Sequence, residues 1–391
     1  MKISLIVQRY GADVVGGAER LCRGVAEGLA AGHEVEVLTT CALSYRTWAN
    51  HFREGTEELN GVRVRRFRTA QERDIDAFNA MSEELFGGGE RTPEAERAWV
   101  DAQGPYSPAL VDYLHTTGAE RDLLLFFTYL YYPTVHGIHV RPERSILVPT
   151  AHDEAPFWME TYRSVFTLPA GLIFNTCAEQ ELVRRRFPEA DQPAEVIGVG
   201  IEGLDALAAA AEAASAPDRP TLLYAGRIEE GKGAGELLRF VERYRDERQA
   251  DLQLWLMGEA AMELPEHPWI QPLGFVSEEE KRARLAGATL LVAPSRLESF
   301  GIVLLEAAVA GTPCLANGAS EAYVEHCRDG RCGLYYEGYE EFAGALDLLL
   351  ADQQLRAAMA RDGAEYVRGK YSWEAIARRY DEFLRRVVAE R

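Results

Sequence analysis

Short apolar runs rich in β-branched residues alternate along the chain with longer segments whose apolar positions recur every three or four residues. The first kind predicts buried strands and the second amphipathic helices. In the first 200 or so residues the strand-like runs are ISLIVQ, HEVEVLTT, VRVRRF, LLLFFTY, SILVPTAH, GLIFNT and AEVIGV, and the first helical segment runs through Glu19 to Ala30. A second alternation runs from TLLYAG through LQLWLMG, WIQPLGF, TLLVAPS and PCLAN. Strands interleaved with helices give mainly parallel, doubly wound sheets. The alanine-rich, charged stretch Glu202 to Pro220 suits a boundary segment that is partly helical. The fold class expected is therefore α/β, with Rossmann-like domains at 1–201 and 202–370. Between Asp74 and Leu114 lies a helix-leaning insertion longer than a simple connection, a candidate lid or acceptor element. Trp373 to Arg391 has Ile376, Tyr380, Phe383, Leu384 and Val387 on one side of a helix.

The stretch Glu298 to Glu306, ESFGIVLLE, sits where one predicted strand gives way to a helix. TLLVAPS (289–295) leads through the polar turn RLES into GIVLLEAAVAG, so the helix starts near Phe300 and Gly301. The N–H groups of Ser299, Phe300, Gly301 and Ile302 then point out of the sheet's carboxyl edge, a place that favours phosphate. Glu306, beyond the first turn, can accept from the paired hydroxyls of a ribose, while Glu298 in the turn can face a hexose. Alternatively Glu298 is a helix-start acid and Glu306 a solvated helix charge. Spacing alone leaves both readings open.

A second stretch favours the ligand reading. LLYAGRIEEGKGAGELL (222–238) is again strand, glycine-containing turn and helix, with Arg227 at the strand end and Lys232 beside the helix start. Two cations of different shape suit a diphosphate. Lys2, Lys232, Lys281 and Lys370 are the only lysines in an arginine-rich chain, which sets Lys232 apart from random surface charge.

Together these segments resemble the retaining glycosyltransferases of family 4, which have the two-domain GT-B architecture. The resemblance rests on Gly226, Arg227, Lys232 and Gly233, on Glu298 and Glu306 with seven residues between them, and on Gly311 to Pro313 after the helix. Gly16 and Gly17 in VVGGAER, the pair His152 and Asp153, and the closing YSWEAIARRY extend it over nearly the whole chain, although Asp74 to Arg121 follows no pattern of the family. Two departures, LMGEAA without the usual glycine pair and VIGVGIE without the usual proline and asparagine, bear on nucleotide identity more than on reaction class. The resemblance implies two domains facing a central cleft, an acceptor-side first domain onto which the helix of 371–391 packs back, and a second domain that binds a nucleotide sugar, UDP- or GDP-linked. It also implies front-side displacement with retention, in which the leaving phosphate helps deprotonate the acceptor. Glu298 would orient the donor sugar, Glu306 the ribose, and the backbone around Phe275 and Val276 would meet the base.

Composition narrows the setting. At 391 residues, 47% hydrophobic and 27% charged, the chain has the balance of a globular protein long enough for two full cores. A net charge of -20 argues against a nucleic-acid partner and gives no overall attraction to an anionic membrane. No apolar stretch is long enough to span a bilayer, which leaves peripheral contact as the mode of any membrane association. RVRRFR (63–68) reads as solvated decoration of an edge strand. Six cysteines without a CxxC pair fit a reducing cytoplasm, and MKISLIVQRY reads as a first strand, not a leader.

The remaining candidates are local. Gly16 and Gly17 stand between the first strand and the first helix, where a missing side chain admits either a tight turn or a ligand, here the donor. His152 follows SILVPTA and should emerge at a strand's carboxyl end. There it is a catalytic candidate beside Glu298, hydrogen-bonding the transferring sugar and not attacking it. Tyr129, Tyr131, Tyr132, Phe157 and Trp158 flank it as core residues, with one or two free to stack on an acceptor sugar. Asn175, Thr176 and Glu179 form a capping arrangement. No metal-ligand spacing and no DxD element appear, so no metal cofactor is expected and Arg227, Lys232 and the helix start carry the charge neutralisation. The acceptor would be a sugar, glycolipid or small molecule, in glycan, polysaccharide or glycoconjugate synthesis. The rival readings are a GT-B-fold sugar-nucleotide epimerase and a non-catalytic sugar-binding protein.

Overall fold

A computed structural model describes residues 1–14, 16–89 and 91–391. Val15 of the VVGGAER loop and Glu90 of the insertion lie outside the described residues. The chain divides into two compact units, Met1–Gly200 with Trp373–Arg391, and Ile201–Ser372.

Among the described residues the first unit is built on eight strands: β1 (Lys2–Ile6), β2 (Glu34–Thr40), β3 (Gly55–Leu59), β4 (Val62–Phe67), β5 (Leu123–Phe127), β6 (Ser145–Val148), β7 (Gly171–Phe174) and β8 (Ala194–Val196). They lie in the order β3-β4-β2-β1-β5-β6-β7-β8. All pairings are parallel except β3 with β4. Every residue of β5, β6 and β7 is buried, as expected of parallel strands covered on both faces. The antiparallel strand β3 overturns the edge-strand expectation for Arg63–Arg68. It covers β4, and Arg66 is buried there, with hydrogen bonds to the Tyr10 carbonyl and the Glu57 carboxylate, both at 2.7 Å. The described residues of the insertion form the helices Ile75–Phe86, Pro93–Gln103 and Pro108–Thr117, the first capped by Asp74 and the second by Thr92.

The second unit holds β9 (Thr221–Ala225), β10 (Gln253–Met257), β11 (Ile270–Gly274), β12 (Leu290–Ala293), β13 (Cys314–Asn317) and β14 (Gly333–Tyr336). Their order is β11-β10-β9-β12-β13-β14, all parallel. The strand sequence reverses direction between β9 and β12, a crevice where open parallel sheets bind ligands at their carboxyl ends. The boundary stretch is helical over Leu204–Ala213.

The closing helix Trp373–Ala389 belongs to the first unit and packs on the first helix, Gly17–Ala30. Ile376, Tyr380, Phe383, Leu384 and Val387 are all buried. A side chain at Gly24 would begin 2.1 Å from the Trp373 ring, so this glycine is what lets the two helices approach. Among the described residues no helix is long and apolar enough to cross a membrane. Five of the six cysteines are buried free thiols and Cys177 is an exposed one.

Phe383 is fully buried and also packs toward Gly171 in β7. Replacing it with alanine should cost about 3 to 5 kcal/mol of stability, read by chemical denaturation. A loss below about 1 kcal/mol would contradict this packing of the closing helix.

Candidate functional site

In the second unit, residues following β9 and β12 meet at the sheet's carboxyl edge. β9 ends at Ala225, and Gly226 and Arg227 follow it into a turn that carries Lys232. β12 ends at Ala293, and the turn 294–301 leads into the helix Ile302–Val309. The two turns press together at Gly233, where a side-chain carbon would fall 2.4 Å from the Pro294 carbonyl oxygen. Gly301 caps the helix in the left-handed region, with φ 87°, and a side chain there would begin 2.6 Å from the Tyr323 ring. Phe300 is buried against the His326 and Tyr371 rings, at 4.9 and 5.2 Å between centroids. The aromatic packing therefore fixes the helix start from behind. The first N–H groups of that helix, including those of Ile302 and Val303, have no carbonyl four residues back to bond within it, the kind of end that favours an anion.

Both carboxylates expected at this site are paired with lysine. Glu298 Oε1 accepts from Lys232 Nζ at 2.8 Å, the lysine being 41% and the glutamate 23% exposed. Glu306 Oε1 accepts from Lys281 Nζ at 2.8 Å, with side chains 5% and 15% exposed. Glu306 is therefore a buried, paired acid, which overturns the alternative of a solvated helix charge. Lys281, on the helix Glu278–Gly287, is the functional residue the sequence reading missed. It stands in the charged run EEEKR, where nothing in the spacing sets it apart from its neighbours. Arg227 is about half exposed, 3.5 Å from Glu229. Around the same edge Asn317 donates to Glu236 and to the Pro294 carbonyl, at 3.1 and 3.2 Å, and Arg296 pairs with Glu236 at 2.8 Å. Phe275 and Val276 lie just past β11, between that strand and the helix bearing Lys281. The Phe275 side chain is 84% exposed.

The remaining candidates lie in the first unit. Gly16 precedes the first helix in an extended conformation, and a side chain there would collide with the Glu19 carboxylate at 2.1 Å. Glu19 is buried and clamped by Arg9 at 2.6 and 2.9 Å and by Gln8 at 3.0 Å. The space left by Gly16 thus serves a buried ion pair, whereas Gly17 opens the helix with nothing within 4 Å of the place a side chain would occupy.

His152 emerges past β6, half-buried, with Nε2 3.4 Å from Glu154 Oε2. The segment is held from behind by Glu179, whose carboxylate accepts from Ala151 N at 2.5 Å and from Asn175 N at 2.7 Å while Thr176 caps the Glu179 amide at 3.1 Å. The expected capping arrangement is therefore present and also braces the residue before His152. Asp153 accepts from the Trp158 indole at 2.7 Å. Of the flanking aromatics, Tyr129, Tyr132 and Phe157 are buried, whereas Tyr131 and Trp158 are partly exposed. Thr128 and Thr150, just past the neighbouring strands β5 and β6, have φ of 65° and 51°. For β-branched residues this strain is on the order of 1 to 3 kcal/mol each and gathers at functional edges. Among the described residues no cluster of three or more His, Cys, Asp or Glu could hold a metal ion.

Comparison with known proteins bears on the reaction class and the fold. The family described as "Glycosyl transferases group 1" matches residues 208–366, a span containing both paired acids and both cation-bearing turns. Over this span the chain is similar to family 4-like glycosyltransferases. An uncharacterized glycosyltransferase of Methanocaldococcus jannaschii is 25% identical over 405 residues, covering 97% of this chain and 96% of that protein. The phosphatidyl-myo-inositol mannosyltransferase of Mycobacterium leprae is 35% identical over 219 residues, covering 52% of this chain and 57% of that protein. Among solved structures, sucrose-phosphate synthase from Thermosynechococcus elongatus superposes with a TM-score of 0.72 at 18% identity, with all of both chains covered. Anabaena HepE in complex with UDP-glucose does so with 0.67 at 17%, over 98% of this chain and 99% of that one. These structures carry the GT-B fold, two Rossmann-like parallel-sheet domains, and this chain shares it. The relatives indicate sugar transfer by a hexosyltransferase in glycan biosynthesis and give no support to an epimerase.

A buried ion pair that loses one partner strands a charge, at a cost of about 3 to 5 kcal/mol. Lys281→Ala in the glycosyltransferase should therefore destabilise it by that order in denaturant, and Glu306→Leu added to it should restore much of the loss. Equal stability of wild type and Lys281→Ala would remove the pair as a structural element of the site.

Proposed function

We propose that the enzyme transfers a hexose from a nucleoside diphosphate sugar to an acceptor hydroxyl with retention of anomeric configuration and without a metal ion. The observation that carries this reading is the convergence, at the second unit's topological switch point, of a helix N-terminus, two lysine-paired carboxylates and Arg227. As the bond to the leaving group breaks, negative charge grows on the diphosphate. Fixed amides and cations that meet this charge lower the barrier without reorganising.

In this reading the amides of Ser299 to Ile302 and the side chains of Arg227 and Lys232 take the diphosphate. Glu306 holds the ribose, Glu298 the hexose, and the backbone at Phe275 and Val276 the base. Donor binding draws Lys232 from Glu298 toward phosphate and frees the carboxylate for sugar hydroxyls. His152, with the Gly16–Gly17 loop, acts on the reacting sugar and its acceptor. The complex of HepE with UDP-glucose supports a UDP-hexose as donor, and the mannosyltransferase of M. leprae, whose name specifies phosphatidyl-myo-inositol, supports a polyol or glycolipid hydroxyl as acceptor. GDP-hexoses remain the second donor class. The free thiols fit a reducing compartment, and we place the enzyme in the cytoplasm in polysaccharide or glycoconjugate synthesis.

Thermal shift against UDP-, GDP-, ADP- and TDP-hexoses identifies the donor, since a ligand of the folded state raises apparent stability. Lys232→Ala and Arg227→Ala should each lose about 2 to 4 kcal/mol of transition-state stabilisation. Activity at the wild-type level in either variant would take that residue out of the site. Turnover should also persist in EDTA; its complete loss, restored by magnesium or manganese, would overturn the metal-free assignment.

A further inference from the structure

We infer that Glu154 is a positioning residue for His152 and that Tyr129 in turn positions Glu154. The inference rests on the reading of this chain as a transferase whose turnover depends on His152.

Strands β5 and β6 run side by side, with Phe127 opposite Val148. Their pairing continues past both ends, as Thr128 N donates to the Val148 carbonyl at 2.9 Å and Tyr129 N to that of Pro149 at 3.1 Å. The left-handed turns at Thr128 and Thr150 then bring Tyr129 and His152 out of adjacent strand ends, on either side of the Glu154 carboxylate.

Tyr129 is immobile. Its ring is buried edge-on against Tyr162 and Phe157, at 4.8 and 5.8 Å, and tilted on Phe166 at 5.6 Å. Its hydroxyl donates to Glu154 Oε1 at 2.7 Å. That bond turns the other oxygen, Oε2, toward His152 Nε2, 3.4 Å away. Burial works to raise the Glu154 carboxyl, but the bonds from His152 and Tyr129 and the histidine's charge outweigh it and hold the group below the usual carboxylate range. A carboxylate accepts and does not donate, so it selects the imidazole form that carries a proton on Nε2 and fixes the ring plane. A half-buried histidine without such a partner samples other rotamers and the other tautomer. The relay Tyr129–Glu154–His152 thus gives a strand-end histidine one orientation and one donor atom before substrate arrives.

The test combines ring-nitrogen NMR of His152 with kinetics on the full chain, using UDP-glucose and GDP-mannose as donors in parallel. In Glu154→Ala the ¹⁵N shifts of the His152 ring should move from an Nε2-protonated pattern toward a tautomer average. Turnover should fall at least about tenfold while UDP or GDP affinity stays within about twofold. Glu154→Gln, which keeps an acceptor oxygen, should recover part of the rate, and Tyr129→Phe, which preserves the ring packing, should give an intermediate loss. Unchanged ring shifts in both Glu154→Ala and Tyr129→Phe would overturn the inference even if neither donor is turned over. If His152→Ala is slow but Glu154→Ala is normal, the positioning role alone falls. If His152→Ala turns over normally, the reading of His152 as a site residue falls with it.

Discussion

In the proposed reading the second unit's carboxyl edge receives a doubly charged leaving group, a place with no obvious use for carboxylates, yet it has two within nine residues. The constraint is resolved by pairing each with a lysine at 2.8 Å. Glu306 is buried, and pairing with Lys281 offsets its charge beside the anion that the proposed reading places here. Lys232 is more exposed than Lys281 and its acid is less buried, so this pair is the one suited to exchange partners when phosphate arrives. A chain with only four lysines uses two of them here, where a compact, strongly hydrated charge suits the task better than a planar fork.

That pairing depends on the fold in a specific way. Parallel strands buried on both faces end at one edge, and the crevice between β9 and β12 collects the turns that follow each. Gly233 against Pro294 and Gly301 against Tyr323 set those turns at van der Waals limits, so the charged residues are carried on packed backbone and not on free loops. The first unit repeats the principle at β5 and β6, with left-handed threonines and the Glu179 brace in place of glycines.

The parallel strands were legible because continuous apolar runs bounded by turns have few other uses in a soluble chain. The helix start at Gly301, Lys232 beside its own helix and the closing amphipathic helix were legible from the same periodicity. Strand β3 was not: GTEEL is polar and nearly all exposed, and only its antiparallel pairing with β4 gives it a conformation. Missing it made Arg66 a surface charge, when its guanidinium is buried under that strand. Lys281 was hidden among the charges around it, because sequence spacing along one helix says nothing of which acid on another helix it meets. Glu154 was obscured likewise, as was the second role of Glu179 beyond its helix start. Their partners, Tyr129 and Ala151, lie just past the ends of neighbouring strands, 25 and 28 residues away in the chain.

Amide hydrogen exchange of the whole enzyme with and without UDP or GDP shows whether the second unit's paired-acid turn binds the nucleoside diphosphate. Backbone amides that bond phosphate should exchange more slowly. New protection is expected at residues 299–303, with weaker protection at 226–233 and 275–276. Saturating nucleotide that leaves 299–303 unprotected while slowing exchange elsewhere would contradict binding at this turn.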